Sequence, residues 1–352
     1  MRDSSARHGE QDVARANNGN DAQPTNESPR RSAHSSHERA AVLPGEQAAS
    51  GSVSPSTRLR VVISGASGMI GSELTRQLRS EGHETRRLVR HAPTSPDEFR
   101  WAPASSVLDV NILEGVDAVV NLSGASINRL PWTSAYKREI LESRLRATHT
   151  ITNALRQATN PPGVLLNASA VGIYGNRPGE ELTDESERGE GFLADVVERW
   201  EQEANLAPES TRVVTARTGL VLGQGGALAP LLPLTRLGLS GPLGGGLQFW
   251  PWISLYDEAA ALRHLLTSSL RGPVALAAPE PATANDVMST LARLLRRPFA
   301  VPVPKKVVTF VLREAGTELV LSNQRVAPQR LLDDGFVFRH RTVVEALQWV
   351  LS

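Results

Sequence analysis

From Arg58 onward, apolar positions fall into short continuous runs, separated by longer stretches in which apolar residues recur every three or four positions. Runs of about four to eight apolar residues bounded by glycine suit strands buried on both faces, and the longer recurrence suits helices that cover them. "LRVVISG" reads as a buried strand, "MIGSELTRQLRSEG" as a helix closed by Gly82, and "ETRRLVR" as a second strand. "GVDAVVNLSG" is a further strand ending in a glycine turn, and a helical stretch from about Thr133 to Ala158 stops before Pro161. "GVLLNASAVGIYG", "FLADVVERWEQEAN" and "TRVVTARTGLVLG" add a strand, a helix and a strand. This alternation predicts an α/β fold, a doubly wound parallel sheet of the Rossmann type.

The pattern fails at both ends of the chain. Residues 1–57 have no Phe, Tyr or Trp and few branched aliphatics, so they cannot bury enough apolar surface to offset their chain entropy and read as a disordered tail. An organelle transit peptide is the alternative, but seven acidic residues against six basic ones disfavour it. Residues 58–297 read as the dinucleotide-binding domain. After Pro298 the chain turns to "VPVPKKVVTFVLREAG", and residues 298–352 read as a small C-terminal domain, too short for a core of its own and packed on the larger one. The glycine- and proline-rich stretch "GQGGALAPLLPLTRLGLSGPLGGGLQFWPWIS" reads as a loop closing over a ligand, or as an irregular crossover whose aromatics are core.

Charge and composition narrow the function classes. With 38 Lys and Arg against 37 Asp and Glu, the net charge of +1 gives no global field for nucleic acid or an anionic membrane. The absence of cysteine excludes disulfides, thiolate zinc sites, iron–sulfur clusters and cysteine nucleophiles, and no metal site is expected. No run approaches the ~18 apolar residues of a membrane span, and the N-terminus has no apolar core of a secretion signal; the expected location is the cytoplasm. A homo-oligomer is compatible with the sequence, with no feature that calls for one.

The chemistry starts at "VVISGASGMIGSEL", where Gly65, Gly68 and Gly71 form G-x-x-G-x-x-G between a buried strand and a helix. Gly65 allows the sharp exit from the strand, Gly68 lets backbone approach a pyrophosphate, and Gly71 lets the helix pack close to the sheet. With Ser67 inside the turn, the N–H groups of Met69 and Ile70 point at phosphate from the positive end of the helix. A phosphate-binding P-loop is excluded because no Lys-Ser or Lys-Thr follows the glycines. The second strand ends in Arg90, where an acidic residue would accept the ribose 2′-hydroxyl of NAD; a guanidinium suits a 2′-phosphate, so the expected cofactor is NADP(H) rather than NAD(H).

"ISGASGMIG", "VNLSGASI", "WTSAYKREILESR", "NASAVGIYG", "ARTGLVLG" and "SNQRVAPQRLLDDGFVFRHRTVVEAL" together resemble the epimerase-like branch of the extended short-chain dehydrogenase/reductases, in the subgroup that carries a small C-terminal domain of unknown function. The resemblance runs from about Arg58 to the end. It implies an NAD(P)-dependent oxidoreductase or epimerase, and it places Leu122, Ser123 and Gly124 against the ribose or diphosphate of the cofactor. In that superfamily a Tyr, helped by a Lys four residues later in one helix, moves the proton. Here the three tyrosines, Tyr136, Tyr174 and Tyr256, are followed four residues on by Ile140, Pro178 and Ala260, and the matching helix "GFLADVVERWEQEA" has neither residue.

What remains as candidate catalytic groups is Ser169, at a strand's carboxyl end where the superfamily's Ser or Thr meets the reacting oxygen, and Tyr174 just beyond it. A turn-capping Ser169 and a packed Tyr174 are the bland alternatives. Lys137, one of three lysines, and Arg144, two turns along the same helix, could reach phosphates or a substrate acid, or could be solvated helix charges. Two functions stay open: an NADP(H)-dependent oxidoreductase or epimerase acting on a hydroxyl or carbonyl carbon of a small substrate, and a non-catalytic NADP(H)-binding sensor or scaffold.

Overall fold

The computed structural model describes residues 58–352, so the expected tail over 1–57 lies outside the described residues. In chain order the strands are β1 (Arg60–Ser64), β2 (Glu84–Val89), β3 (Glu98–Arg100), β4 (Ala118–Asn121), β5 (Val164–Ala170), β6 (Glu181–Leu182), β7 (Arg212–Thr218), β8 (Leu220–Leu222), β9 (Phe249–Trp250), β10 (Trp252–Ser254), β11 (Gly272–Leu276), β12 (Ala282–Thr283) and β13 (Arg325–Val326). The α-helices are α1 (Met69–Ser80), α2 (Ser134–Gln157), α3 (Phe192–Ala204), α4 (Leu228–Arg236), α5 (Leu255–Thr267), α6 (Ala284–Leu294), α7 (Lys305–Ala315), α8 (Gln329–Asp333) and α9 (Val343–Leu351).

Seven strands form one sheet in the order β11-β7-β5-β4-β1-β2-β3, and every pair in it is parallel. The order reverses between β1 and β4, the kind of crevice in which open α/β sheets hold their ligands at the strands' carboxyl ends. Because side chains alternate along a strand, β1 feeds two cores. Val61 and Ile63 pack with Leu74 and Leu78 of α1 and with α5, while Val62 packs with Val119 and with Ala147, Ile151 and Leu155 of α2. All three β1 residues are fully buried, each stabilising the fold by roughly 1.5–3 kcal/mol.

Two expectations are revised. The run "TRVVTARTGLVLG" breaks into β7 and β8, because backbone crowds Gly219: a Cβ there would overlap the Pro251 carbonyl, and β8 leaves the main sheet to pair with β10. The stretch read as a loop contains α4, whose Leu228 and Leu232 are buried even though Pro233 lies inside it. The C-terminal segment shares its core with the rest: Val343, Ala346, Leu347 and Val350 of α9 join Trp250, Trp252, Val287 and Leu291 in one cluster. Leu331, Phe336 and Phe338 pack into the β1 and α5 core.

Candidate functional site

The glycine turn is shaped by backbone contact. Gly65 sits at φ +72°, and a Cβ on it would lie 2.7 Å from the Leu122 carbonyl oxygen, so the exit of β1 runs directly against the end of β4. A Cβ on Gly71 would overlap the Gly65 carbonyl, which fixes glycine where α1 meets the turn. Gly68 is the N-cap of α1, with no side-chain cap and no acidic residue in the first turn. The first N–H groups of a helix have no partner within it, so Met69, Ile70 and Gly71 present donors at the helix's positive end. Ser67 and Gly68 are exposed beside them. These residues therefore fit a dinucleotide diphosphate: a tight turn, open donors, and no side chain in the way. Arg90 is exposed one residue beyond the end of β2.

From Leu122 and Ser123 the wall continues through Gly124 to Arg144 of α2, whose Cγ would lie 3.2 Å from a Cβ on Gly124. Arg144 donates from Nη1 to the carbonyls of Ala125 (3.1 Å) and Ile140 (2.9 Å), and its guanidinium lies 5.0 Å from the ring centroid of Trp200. No ion pair holds it among the described residues, and burial pulls its guanidinium down to about 10. It lines a cavity of about 130 Å³ at the carboxyl ends of β5 and β7. Leu193, Val196, Val197 and Trp200 line one side of that cavity, spaced as one face of α3, the helix in which the superfamily's Tyr and Lys are missing. That face of α3 gives the cavity an apolar wall. Trp250 and Pro251 close a second side, and Glu318, Ser322 and Gln324 bring the C-terminal segment to the wall. A wider open groove along β2 and β3 shares no residue with this cavity or with the glycine turn; within its lining Arg86 pairs with Glu84 at 3.5 Å, and Asp97 pairs with Arg87 outside it at 2.7 Å.

The polar residues of the C-terminal segment are engaged in holding it. Glu318 accepts hydrogen bonds from the backbone N–H groups of Phe192 and Leu193, both at 2.8 Å, and so caps α3. Burial raises its carboxyl, and those two donors partly offset the effect. Gln324 donates to the carbonyls of Val171 (3.0 Å) and Gly175 (2.7 Å).

The expected catalytic residues do not face the cavity. Ser169 is 4 % exposed, and its hydroxyl donates to Glu201 Oε1 at 2.5 Å. Tyr174 is fully buried: the short turn after β5 swings it inward among Ile173, Leu182 and Val197, and its hydroxyl accepts from Arg217 Nη1 at 3.2 Å. Desolvation raises the phenol, with Arg217 only partly countering it, so Tyr174 is held neutral in the core. Arg217 in turn makes two bonds of 2.9 Å to the Glu201 carboxylate, forming a buried Ser169, Glu201, Arg217 and Tyr174 network. Lys137 is also placed away from the glycine turn and the cavity. Its ammonium pairs with Glu314 of α7 at 2.8 Å and lies 4.3 Å from the Phe192 ring centroid.

Two residues that pattern reading passed over stand at the cavity's edge. Thr218 ends β7 and lines the cavity, and its hydroxyl donates to Glu258 Oε1 at 2.7 Å. Glu258 is 0 % exposed, its Oε2 has no partner, and burial pushes its carboxyl up to about 8. A signal was present: in "LYDEAAALRHLL" the acid falls inside a run of residues that are otherwise core of α5.

Comparison with known proteins agrees with this geometry. The model of the NAD dependent epimerase/dehydratase family matches residues 61–274, and a domain of unknown function, DUF1731, matches residues 303–350. The chain is 40 % identical over 295 residues to the epimerase family protein Mb2239 of Mycobacterium bovis, covering 83 % of this chain and 97 % of that one. It is 36 % identical over 300 residues to the epimerase family protein SDR39U1 of Bos taurus, covering 84 % of this chain and all of the other. The crystal structure of human epimerase family protein SDR39U1 with NADPH superposes with a TM-score of 0.76 at 34 % identity, over 83 % of this chain and 99 % of that one. No helix among the described residues is long and apolar enough to cross a membrane. The chain belongs to the NAD-dependent epimerase/dehydratase family, in a form that ends in the DUF1731 domain.

Proposed function

We propose that the protein is an NADP(H)-dependent oxidoreductase or epimerase acting on a hydroxyl or carbonyl carbon of a small substrate. The observation that carries this reading is the continuity of the site. The glycine turn abuts Leu122 and Ser123, Gly124 abuts Arg144, and Arg144 lines a cavity where a reacting carbon would meet the cofactor. In this reading Gly65, Ser67, Gly68, Met69, Ile70 and Gly71 hold the diphosphate, Leu122, Ser123 and Gly124 lie along the ribose, and the unpaired Arg144 supplies a second cation to the diphosphate. Bound NADPH would supply a hydride. Arg90 takes the 2′-phosphate, and the NADPH in the human SDR39U1 crystal supports that choice of cofactor. Lys137, committed to Glu314, is left out of the cofactor set, and Tyr174 is left out of the catalytic one. Ser169 acts at one remove, by fixing Glu201.

Small-molecule mass spectrometry of the purified protein identifies the cofactor it carries. Titration with NADPH and NADH is expected to show about a tenfold to hundredfold preference for NADPH, lost in Arg90→Ala, since charge-assisted hydrogen bonds contribute roughly 1.5–3 kcal/mol each. Equal affinities in the wild type sink the assignment. The apolar face of α3 favours a second reading, a protein that binds NADP(H) without turnover. Stopped-flow NADPH oxidation over aldehydes, ketones, quinones and nucleotide sugars separates the two, because a binder oxidises NADPH with none of them.

A further inference from the structure

A cavity whose helix wall is apolar still has to exchange a proton if a carbonyl is to be reduced inside it. Among the cavity's polar side chains, Glu318 caps α3, Gln324 holds two carbonyls, Ser322 donates to the Gly175 carbonyl at 3.3 Å, and Arg144 keeps its proton far above neutrality. Thr218 remains. An isolated alcohol is a poor acid, because giving up its proton leaves an alkoxide. Thr218 is not isolated: behind it, one hydrogen bond of 2.7 Å away and shut off from solvent, lies the carboxyl of Glu258.

We infer that Thr218 and Glu258 form a proton relay, in which the Thr218 hydroxyl meets the reacting oxygen of the substrate and Glu258 restores or receives its proton. The inference rests on the oxidoreductase or epimerase reading. In the reducing direction a hydride passes from the reduced nicotinamide to the carbonyl carbon, and the carbonyl oxygen takes the Thr218 proton. Thr218 takes the proton of Glu258, which ends as carboxylate. Oxidation reverses each transfer, with the hydride returning to the oxidised nicotinamide. Because Thr218 gains one proton as it loses another, no alkoxide forms on it. An oxidation followed by a reduction, as in epimerisation, returns Glu258 to its starting state without solvent. Thr218 is then the catalytic residue and Glu258 a positioning and proton-holding one.

The surroundings of Glu258 suit this role. Burial raises its carboxyl to about 8 and the Thr218 bond lowers it, close to where a general acid works best. Of the elements packed around α5, β5, β8 and β10 carry no charged residue. The charged groups on the others are bonded elsewhere: on α1, Glu73 with Arg76 and Arg79 with Asp97; on β7, Arg217 with Glu201 and Arg212 with the carbonyls of Leu265, Leu266 and Leu270; on α5 itself, Arg263 with Glu81, His264 with Asp334, and Asp257 with Ser254 and the backbone N–H groups of Arg339 and His340.

Infrared spectra of the cofactor-free protein test the pair without turnover. A protonated-carboxyl band is expected at neutral pH, absent in Glu258→Gln and shifted in Thr218→Val; no such band overturns the relay. Turnover is read by stopped-flow NADPH oxidation with phenanthrenequinone and nitrobenzaldehyde, between about pH 6 and pH 10. The wild-type rate is expected to fall as pH rises through about 8. Glu258→Gln, which keeps the bond to Thr218 but cannot pass a proton on, is expected to be about 10²-fold slower and to lose that limb. Thr218→Val is expected to be similarly slow, and Thr218→Ser to recover the rate. A Glu258→Gln variant with the wild-type rate and profile overturns the relay alone, whereas no turnover by the wild type overturns it together with the reading on which it rests.

Discussion

The glycine turn after β1 and the cavity beyond β5 and β7 share one edge of the sheet, yet they are built by different means. The turn is a matter of backbone: glycines leave room, and helix donors point outward. The residues concerned lie within a dozen positions of one another, with only the end of β4 brought in from afar. At the cavity, the wall is made of side chains contributed by α2, α3, β7, β9 with Pro251, and the segment from Glu318 to Gln324. The first kind of site tolerates few substitutions and changes little. The second can vary in side chains that do not hold the fold, and here its wall carries Arg144, Thr218 and an apolar face of α3.

Breaking the cavity's supporting network should have the largest effect. Glu201 is the counter-ion of the buried Arg217 and the acceptor of Ser169. Glu201→Ala strands a buried cation, so a loss of about 3–5 kcal/mol is expected in urea unfolding. Glu201→Gln, which keeps an acceptor but not the charge, is expected to lose less; equal losses would show that the charge alone is what the network needs.

Glu258 sharpens the same side of the comparison through pH. Its folded-state value of about 8 lies above the 4.5 of an unperturbed carboxyl, so between those values the unfolded chain has released a proton that the folded chain keeps. Stability contributed by Glu258 is therefore complete below about 4.5 and is lost as pH rises to about 8, by about 1.4 kcal/mol per pH unit. Glu258→Gln removes this dependence. Its thermal midpoint relative to the wild type is expected to climb from acid to about pH 8 and then level off. A constant difference across that range would mean that Glu258 is ionised in the fold.

On the cofactor side, Gly71→Ala forces a methyl onto the Gly65 carbonyl, so α1 must shift from the turn. Overpacking of this kind costs about 1–3 kcal/mol, and NADPH affinity is expected to fall at least tenfold because the helix donors move with it. Unchanged affinity would show that the turn does not hold the diphosphate.

The same contrast explains what the sequence discloses. The strand, glycine triplet and helix around Gly65 are legible because local backbone demands fix residue type in place. The parallel sheet is legible because both faces of its central strands β1, β4 and β5 are buried and their residues say so. Ser169 and Tyr174 were read by strand position, but where a side chain points depends on partners far along the chain: Glu201 draws the hydroxyl of one, and Arg217 holds the other in the core. The pairing of Glu258 is not legible in the sequence because its partner, Thr218, lies 40 positions earlier. The break at Gly219 follows from the Pro251 carbonyl, and no pattern within "TARTGLVLG" announces it.

Lys137 gives the smallest expected effect and the cleanest separation of the two regions. On the sequence it stands two turns before Arg144 on one helix face, as a second phosphate ligand would. In the fold its ammonium is 28 % exposed and spans to Glu314, which is 41 % exposed, joining α2 to the C-terminal segment rather than to the turn. Partly exposed ion pairs contribute about 0–1 kcal/mol, since solvent screens them and ordering two long side chains costs entropy. The Phe192 ring under the ammonium is a contact of the same small scale, about 0.5 kcal/mol. Lys137→Ala is therefore expected to lower stability by less than about 1 kcal/mol, more at low salt than at high, and to leave NADPH affinity unchanged. Arg144→Ala in parallel is expected to weaken NADPH by at least tenfold, as the loss of a charge-assisted contact would. If Lys137→Ala weakens NADPH as much as Arg144→Ala does, the ammonium leaves Glu314 when the cofactor binds, and the C-terminal segment is coupled to the cofactor half after all.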